Sequence, residues 1–210
     1  MTTASTRVTH VDKQRNLYHR VESGLEDGAL VNFMLRADIK AIKAQHGPLK
    51  VVVEGKKKKH IFDFLLTFDV GRDRDVNVLV AVRPQGSSLR KLEAELQPFR
   101  NQLSKFGVDH LVLLTDEDIT KAVVNRANDF LRSRETKNER HVSRVFEHLS
   151  AAGKSLHVYE LFDLLPDLVP SEIWSALMAL LDKGEVEHDH DRSEKVDLSW
   201  LSSFRVMGEV

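Results

Sequence analysis

The feature that most constrains the fold is a pair of strand-type runs separated by a polar turn. Residues 60–68 and 77–83 are rich in apolar and β-branched side chains, and Gly71 with the charged residues after it is typical of a turn. Asp63 lies in the first run, and Arg83 ends the second. We therefore predict two neighbouring strands, one carrying a single acidic side chain and the other a single basic one.

Helical and strand patterns alternate on both sides of these runs. In chain order, the sequence predicts a helix, three strands, a helix, a strand and a helix, at about residues 16–36, 49–54, 60–68, 77–83, 89–106, 110–114 and from 115 to 132. Gly55 and the four lysines after it are predicted to form a turn, and Pro98 to interrupt the long helix. This order favours an α/β fold with a mixed sheet flanked by helices.

The C-terminal third has a different pattern. Three short helical patterns precede a hairpin of residues 185–188 and 195–198, which is typical of a small winged-helix domain. The predicted organisation is a flexible N-terminus at 1–14, an α/β domain at 15–134, a linker at 135–139 and a winged-helix domain at 140–205. His188 and His190 have a spacing that can chelate zinc on a strand, although no third ligand is evident.

Composition excludes several classes of protein. The 210 residues include no cysteine, so disulfides and thiolate metal sites are excluded. No apolar run approaches the roughly 18 residues of a membrane span, and the polar start is unlike a signal peptide, so we expect a cytoplasmic protein without membrane contact. Residues 1–136 hold 23 basic and 18 acidic side chains, whereas residues 137–210 hold 8 and 14. The two parts are therefore expected to meet different partners.

Several segments, in a fixed order, resemble one family of nucleases. They are ESGLE at residues 22–26, IKAIKAQ at 39–45, IFDF at 61–64, GVDHLVLLTDEDI at 107–119 and ALMALLDKG at 176–184. Their order and spacing are similar to those of the TnsA-like transposon-end endonucleases, over residues 16–205. The resemblance implies a restriction-endonuclease-like domain of the PD-(D/E)XK class, a winged-helix tail, and a role in DNA transposition or recombination.

The resemblance also implies where a cutting site would lie. The family's helix Glu falls on Glu26, its strand Asp on Asp63, its Gln or Glu on Ala81 and its Lys on Arg83. Glu26, Asp63 and Arg83 are thus the predicted catalytic residues, and Asp63, Glu26 and the backbone carbonyl of Val82 would bind Mg²⁺ or Mn²⁺ if the site is active. Ala81 supplies no oxygen and Arg83 cannot lose its proton to act as a base, so the enzyme assignment stays open and an inert site would need no cofactor.

Each site residue has a structural alternative. Asp63 can instead be a strand-end carboxylate that caps a turn or pairs with Arg83. Glu26 can belong, with Glu22 one turn earlier, to a solvated helix face.

The charged segments suggest the partners. Lys56, Lys57, Lys58 and Lys59 are the predicted DNA-binding residues, with a soluble hairpin tip as the alternative. The third helix of the winged-helix pattern carries Glu172, Asp182 and only one lysine, Lys183, so it lacks the set of Arg, Lys, Asn or Gln that reads base edges. This acidic domain is therefore expected to dock transposase or other recombination-complex proteins.

Three functions follow from these observations. The first is a TnsA-like protein that binds DNA ends and partner proteins, with impaired or no cleavage, and the departures at Ala81 and Arg83 favour it. The second is an active Mg²⁺-dependent endonuclease that cuts at transposon ends. The third is a winged-helix regulatory DNA-binding protein.

Overall fold

The chain forms two separate compact units. A computed structural model describes residues 7–71, 74–188 and 197–207. The units are Met1–Thr120 and Lys121–Val210, which places the division earlier than the predicted linker at 135–139. Divided there, the first unit has 19 basic and 16 acidic residues and the second has 12 and 16. The contrast in charge is therefore smaller than the sequence analysis assumed, but its sign is the same.

A mixed sheet forms the centre of the first unit. Its elements are β1 (Val8–Asp12), β2 (Leu17–Val21), α1 (Gly24–Leu35), β3 (Ile39–Val53), β4 (Lys56–Phe68), β5 (Val76–Val82), α2 (Ser87–Arg100), a 3₁₀ helix (Leu103–Phe106) and β6 (His110–Leu114). The sheet order is β3-β4-β5-β6, in which only β5 and β6 are parallel. The predicted α/β class, with a mixed sheet flanked by helices, is confirmed.

Helix α2 covers part of this sheet with the apolar stripe that the sequence predicts. Leu92, Leu96 and Phe99 are buried in one cluster with Phe62 and Leu79 of the sheet. The helix continues through Pro98 to Arg100, so the proline shortens the predicted helix near its end instead of dividing it. The 3₁₀ helix then completes the stripe.

The N-terminal predictions were wrong in two places. The predicted helix at 16–36 begins only at Gly24, and residues 17–21 form β2, which pairs with β1 inside the segment predicted to be flexible. Val21 and Leu25 coincide with a helical spacing although they belong to different elements. Ser23 marks the true start, because its Oγ accepts the Glu26 N–H at 3.2 Å as an N-cap.

Arg15 fastens the β1–β2 hairpin to the main chain around α1. Its buried guanidinium pairs with Asp12 at 2.9 Å and donates to the carbonyl oxygens of Ile39 at 2.6 Å and Arg36 at 2.8 Å. Arg36 is the C-cap residue of α1, and Ile39 is the first residue of β3. Arg15 therefore links α1 and β3 to a hairpin that includes residues predicted to be flexible.

The first sheet strand is much longer than predicted. The sequence suggests a strand at 49–54, but β3 starts at Ile39 and passes through an irregularity between His46 and Leu49. Lys56 to Lys59 belong to β4 and pair with residues 50–53, so the predicted lysine turn is wrong. Only Glu54 and Gly55 form the turn.

The second unit contains the predicted three short helices and an additional one before them. Its elements are α3 (Lys121–Thr136), α4 (Glu139–Ala152), β7 (Leu156–His157), α5 (Val158–Leu164), α6 (Pro170–Lys183), β8 (Val186–His188) and β9 (Ser203–Val206). The strands form a sheet in the order β7-β9-β8. Strand β8 pairs with β9 at 203–206. Of the predicted partner at 195–198, residues 195 and 196 lie outside the described residues, and residues 197 and 198 are not in a strand. His190 lies outside the described residues.

In the described ranges, no helix is both long enough and apolar enough to cross a membrane.

Gly47 provides a test of the irregularity in β3. A Cβ there would lie 2.9 Å from the His60 carbonyl oxygen and 3.2 Å from the Ile61 Cα, and its φ is +138°. We expect Gly47→Ala to lower the free energy of unfolding by about 1–3 kcal/mol, because both the backbone angle and the neighbouring backbone oppose a side chain. Urea denaturation measures this. Gly24→Ala is the control, since nothing lies within 4 Å of its Cβ position, and equal stability of the two variants would contradict the assignment.

Candidate functional site

The site forms where β4 and β5 part. Their registered pairs run from Phe68 opposite Val76 to Phe64 opposite Val80 and end there. The next backbone N–H of β5 that points towards β4 belongs to Val82, and the Asp63 carboxylate accepts it through Oδ2 at 2.7 Å. The side chain thus supplies the acceptor that the diverging strand no longer offers.

Arg83 closes the site from the end of β5. Its backbone N–H donates to the Leu114 carbonyl at 3.0 Å, which continues the alignment of β5 with β6. Its Nη1 lies 3.2 Å from Asp63 Oδ2 and 2.6 Å from the Val82 carbonyl oxygen. One guanidinium nitrogen therefore contacts two of the three groups that the sequence analysis assigned to a metal ion, Asp63 and the Val82 carbonyl.

Burial dominates the electrostatics of Asp63. Its side chain is only 7% exposed, and this burial raises the pKa of the carboxyl above its ordinary value. The hydrogen bond from Val82 and the charge of Arg83 act in the opposite direction, while the charge of Glu26 adds to the increase. Arg83 does not reverse the shift in pKa because its side chain is 40% exposed and its contacts with the carboxylate are 3.2 and 3.5 Å long.

Glu26 is held by its own surroundings. It is buried, and its carboxylate accepts Ser23 Oγ at 2.9 Å, the Glu22 N–H at 3.1 Å and Gln45 Nε2 at 3.2 Å. The solvated-face alternative for Glu26 is therefore wrong. These bonds cap α1 and tie it to β3, where Gln45 has a φ of +52°. The Ser23–Glu26 spacing was a readable capping signal, whereas the role of Gln45 depends on the fold.

These residues do not fit a divalent cation. Mg²⁺ requires about six oxygen ligands in a near-octahedral shell. The two predicted carboxylates already accept protein donors, and Ala81 is fully buried in the apolar cluster beneath α2. Among the described residues, no group of three or more His, Asp and Glu side chains could hold a metal ion.

The four predicted DNA-binding lysines lie away from Asp63. They are exposed on β4, four to seven residues before it, which corresponds to about 13–23 Å along a strand. His60 lies between the lysines and Asp63, packs against Phe62 and Phe99, and has its pKa lowered by burial and by the charge of Arg83. The lowered pKa favours the neutral imidazole, so His60 adds little to the positive charge of this strand.

Comparison with known proteins assigns no family. No protein-family model matches the sequence, and no curated protein matches it. The resemblance to TnsA-like endonucleases therefore stays a prediction.

The raised pKa of Asp63 predicts a specific pH dependence. The native state holds this proton more tightly than the unfolded state, so Asp63 stabilises most below its ordinary pKa of 3.8, and this contribution falls as pH rises through the raised value. Asp63→Asn keeps an acceptor for Val82 and cannot ionise. We expect the stability of Asp63→Asn relative to the wild type to increase across that interval.

Denaturant titrations over a pH series measure this difference. Asp38→Asn is the control, because the hydrogen bond from Arg36 lowers the pKa of Asp38 and predicts the opposite trend. Parallel pH profiles for the wild type and Asp63→Asn would contradict the assigned shift.

Proposed function

We propose that this chain is a TnsA-like, nuclease-fold protein that binds DNA and partner proteins without hydrolysing DNA. The observation that carries the proposal is the position of Arg83, whose Nη1 contacts the Asp63 carboxylate and the Val82 carbonyl together. In an active site of this class, those two oxygens would bind the metal ion.

Arg83 acts as an internal cation at this position. Arginine stays protonated under all ordinary conditions, so its charge balances Asp63 permanently. A divalent ion would have to displace the guanidinium from both Asp63 and the Val82 carbonyl oxygen. At the positions of the family's Gln or Glu and Lys, neither Ala81 nor Arg83 can accept a proton from a metal-bound water.

The architecture of the first unit supports the nuclease-like part of the proposal. Its helix, antiparallel strands, crossover helix and parallel strand follow the order expected of a restriction-endonuclease-like core. Glu26 and Asp63, the two carboxylates carried over from the family, lie close enough for the charge of Glu26 to raise the pKa of Asp63.

The second unit supports protein docking more than DNA reading. Three helices and a hairpin, α4 to α6 with β8 and β9, are what a winged-helix domain requires. In such domains the third helix enters the major groove, so one of its faces must be free. Residues 176–180 of α6 are all buried, and the Arg134 guanidinium of α3 pairs with Asp182 at 2.7 and 2.9 Å. Helix α6 therefore has little free surface for bases, which disfavours a winged-helix regulator.

Exposed apolar side chains make this unit suitable for protein contacts. The most exposed are Leu201 at 71% and Val169 at 55%, on a unit with more acidic than basic residues. We propose that they dock transposase or other proteins of a recombination complex.

An active Mg²⁺-dependent endonuclease is the second candidate. The proximity of Glu26 and Asp63 favours it, because two neighbouring carboxylates are the usual start of a metal site. It requires Arg83 to leave Asp63 when DNA binds.

A nicking assay separates these candidates. Supercoiled DNA is incubated with Mg²⁺ or Mn²⁺ and the wild type, Asp63→Asn or Asp38→Asn, and DNA binding is measured in parallel with a chelator present. We expect binding by all three proteins, a change in affinity of less than about threefold on chelation, and no nicking above background. Nicking that needs metal and disappears only in Asp63→Asn would establish the endonuclease instead.

A further inference from the structure

The ends of β3 and β4 form a two-stranded ribbon rich in lysine. We call residues 49–53 and 56–61 the lysine ribbon. It contains five lysines, and the turn at its tip adds one acidic residue, Glu54. The register places Lys50 opposite Lys59, Val51 opposite Lys58, Val52 opposite Lys57 and Val53 opposite Lys56.

The two faces of the ribbon have different surroundings. Directly opposed residues share a face, and alternate residues along a strand share it as well. Leu49, Val51 and Val53 pack into the apolar cluster beneath α2, so we call their face the covered face. Lys56 and Lys58 share this face, although their own side chains are exposed. The other face, which we call the outer face, carries Lys50, Val52, Lys57, Lys59 and Ile61.

The outer face is exposed and its positive charge is not compensated. Lys50 and Lys59 face each other directly, an arrangement that is destabilising between like charges. Within the described residues, no carboxylate pairs with any lysine of the ribbon, although Lys40 and Lys137 elsewhere do form such pairs. Val52 is 59% exposed and Ile61 48% exposed on the same face. A ligand with several negative charges and apolar surface between them would match both the lysines and these two apolar side chains.

We propose that the outer face binds double-stranded DNA, with the ribbon lying in the major groove and its lysines contacting the phosphates. This inference rests on the proposed DNA-binding function and names the surface responsible. A two-stranded ribbon fits the major groove of B-form DNA, which is about 12 Å wide, whereas the deep, narrow major groove of A-form RNA excludes it.

The composition of the outer face also predicts the mode of binding. It has no Arg, Asn or Gln, the side chains that read base edges bidentately. Its lysines contribute point charges, and Val52 and Ile61 contribute apolar contacts with sugars. Binding is therefore independent of sequence and steeply dependent on salt.

Two double variants with the same change in charge test the outer face. Lys57→Gln with Lys59→Gln removes two lysines from the outer face, and Lys56→Gln with Lys58→Gln removes two from the covered face. Fluorescence anisotropy with a labelled duplex of mixed sequence, repeated over a range of salt concentrations, reports affinity and the number of phosphate contacts. Thermal unfolding checks that both variants are folded.

We expect the outer-face variant to bind about tenfold more weakly and to lose about 1.8 from the magnitude of the salt slope, the value for two lost phosphate contacts. The covered-face variant should keep the wild-type slope. An RNA duplex of the same sequence should bind more weakly than the DNA duplex.

The other outcomes overturn different statements. Equal losses in the two variants, or equal affinity for RNA and DNA duplexes, would overturn the outer-face groove contact. Wild-type affinity in both variants would place DNA elsewhere on the chain and leave the proposed function standing. If the wild type binds no DNA at all, the proposed function fails together with this inference.

Discussion

The buried Asp63 carboxylate is the constraint on which the site depends. A charge with little access to water must find donors within the protein, and Asp63 finds them in the Val82 N–H and the Arg83 guanidinium. The first bond aligns the end of β5 after β4 has diverged from it. The second places a permanent cation beside the Val82 carbonyl. The need of one buried acidic side chain for hydrogen-bond donors is thus enough to explain a geometry that resembles a metal site.

Ala81 and Arg83 fit together in charge, because the absence of an acid at position 81 leaves one carboxylate for one guanidinium. Ala81 is buried among Leu79 and the apolar side chains of α2, where a carboxylate would carry a large desolvation penalty. With no acid at position 81, Asp63 is the one carboxylate among the described residues that directly contacts Arg83, and a single guanidinium balances it. Arg83 reaches both Asp63 and the Val82 carbonyl through Nη1, and unlike lysine it keeps its charge when partly buried. The two departures from the nuclease pattern therefore belong to one arrangement.

Local patterns predicted the parts of the fold that local interactions decide. The apolar runs of β5 and β6 and the stripe of α2 were visible because each buries side chains at a regular spacing. The lysines of β4 were not recognisable as strand residues, because their pairing depends on β3 passing through the irregularity near Gly47. The contact of Asp63 with Arg83 was one of several alternatives, beside a metal ligand and the cap of a turn, and no local pattern could choose among them. The place of α3 in the second unit likewise depends on its packing with α6, a tertiary interaction.

The two ends of β4 differ in their charge and in their exposure. At its inner end the single acid is buried and balanced by Arg83, so the site has little net charge to offer a metal ion or a phosphate. At its outer end four consecutive lysines are exposed and face no carboxylate among the described residues. The exposed end of β4 thus has positive charge that can attract a polyanion. At the buried end, Arg83 neutralises the Asp63 carboxylate that a catalytic metal ion would need. Because separate residues control the two properties, the proposed loss of cutting at Ala81 and Arg83 would leave the lysine ribbon, and with it the proposed DNA binding, intact.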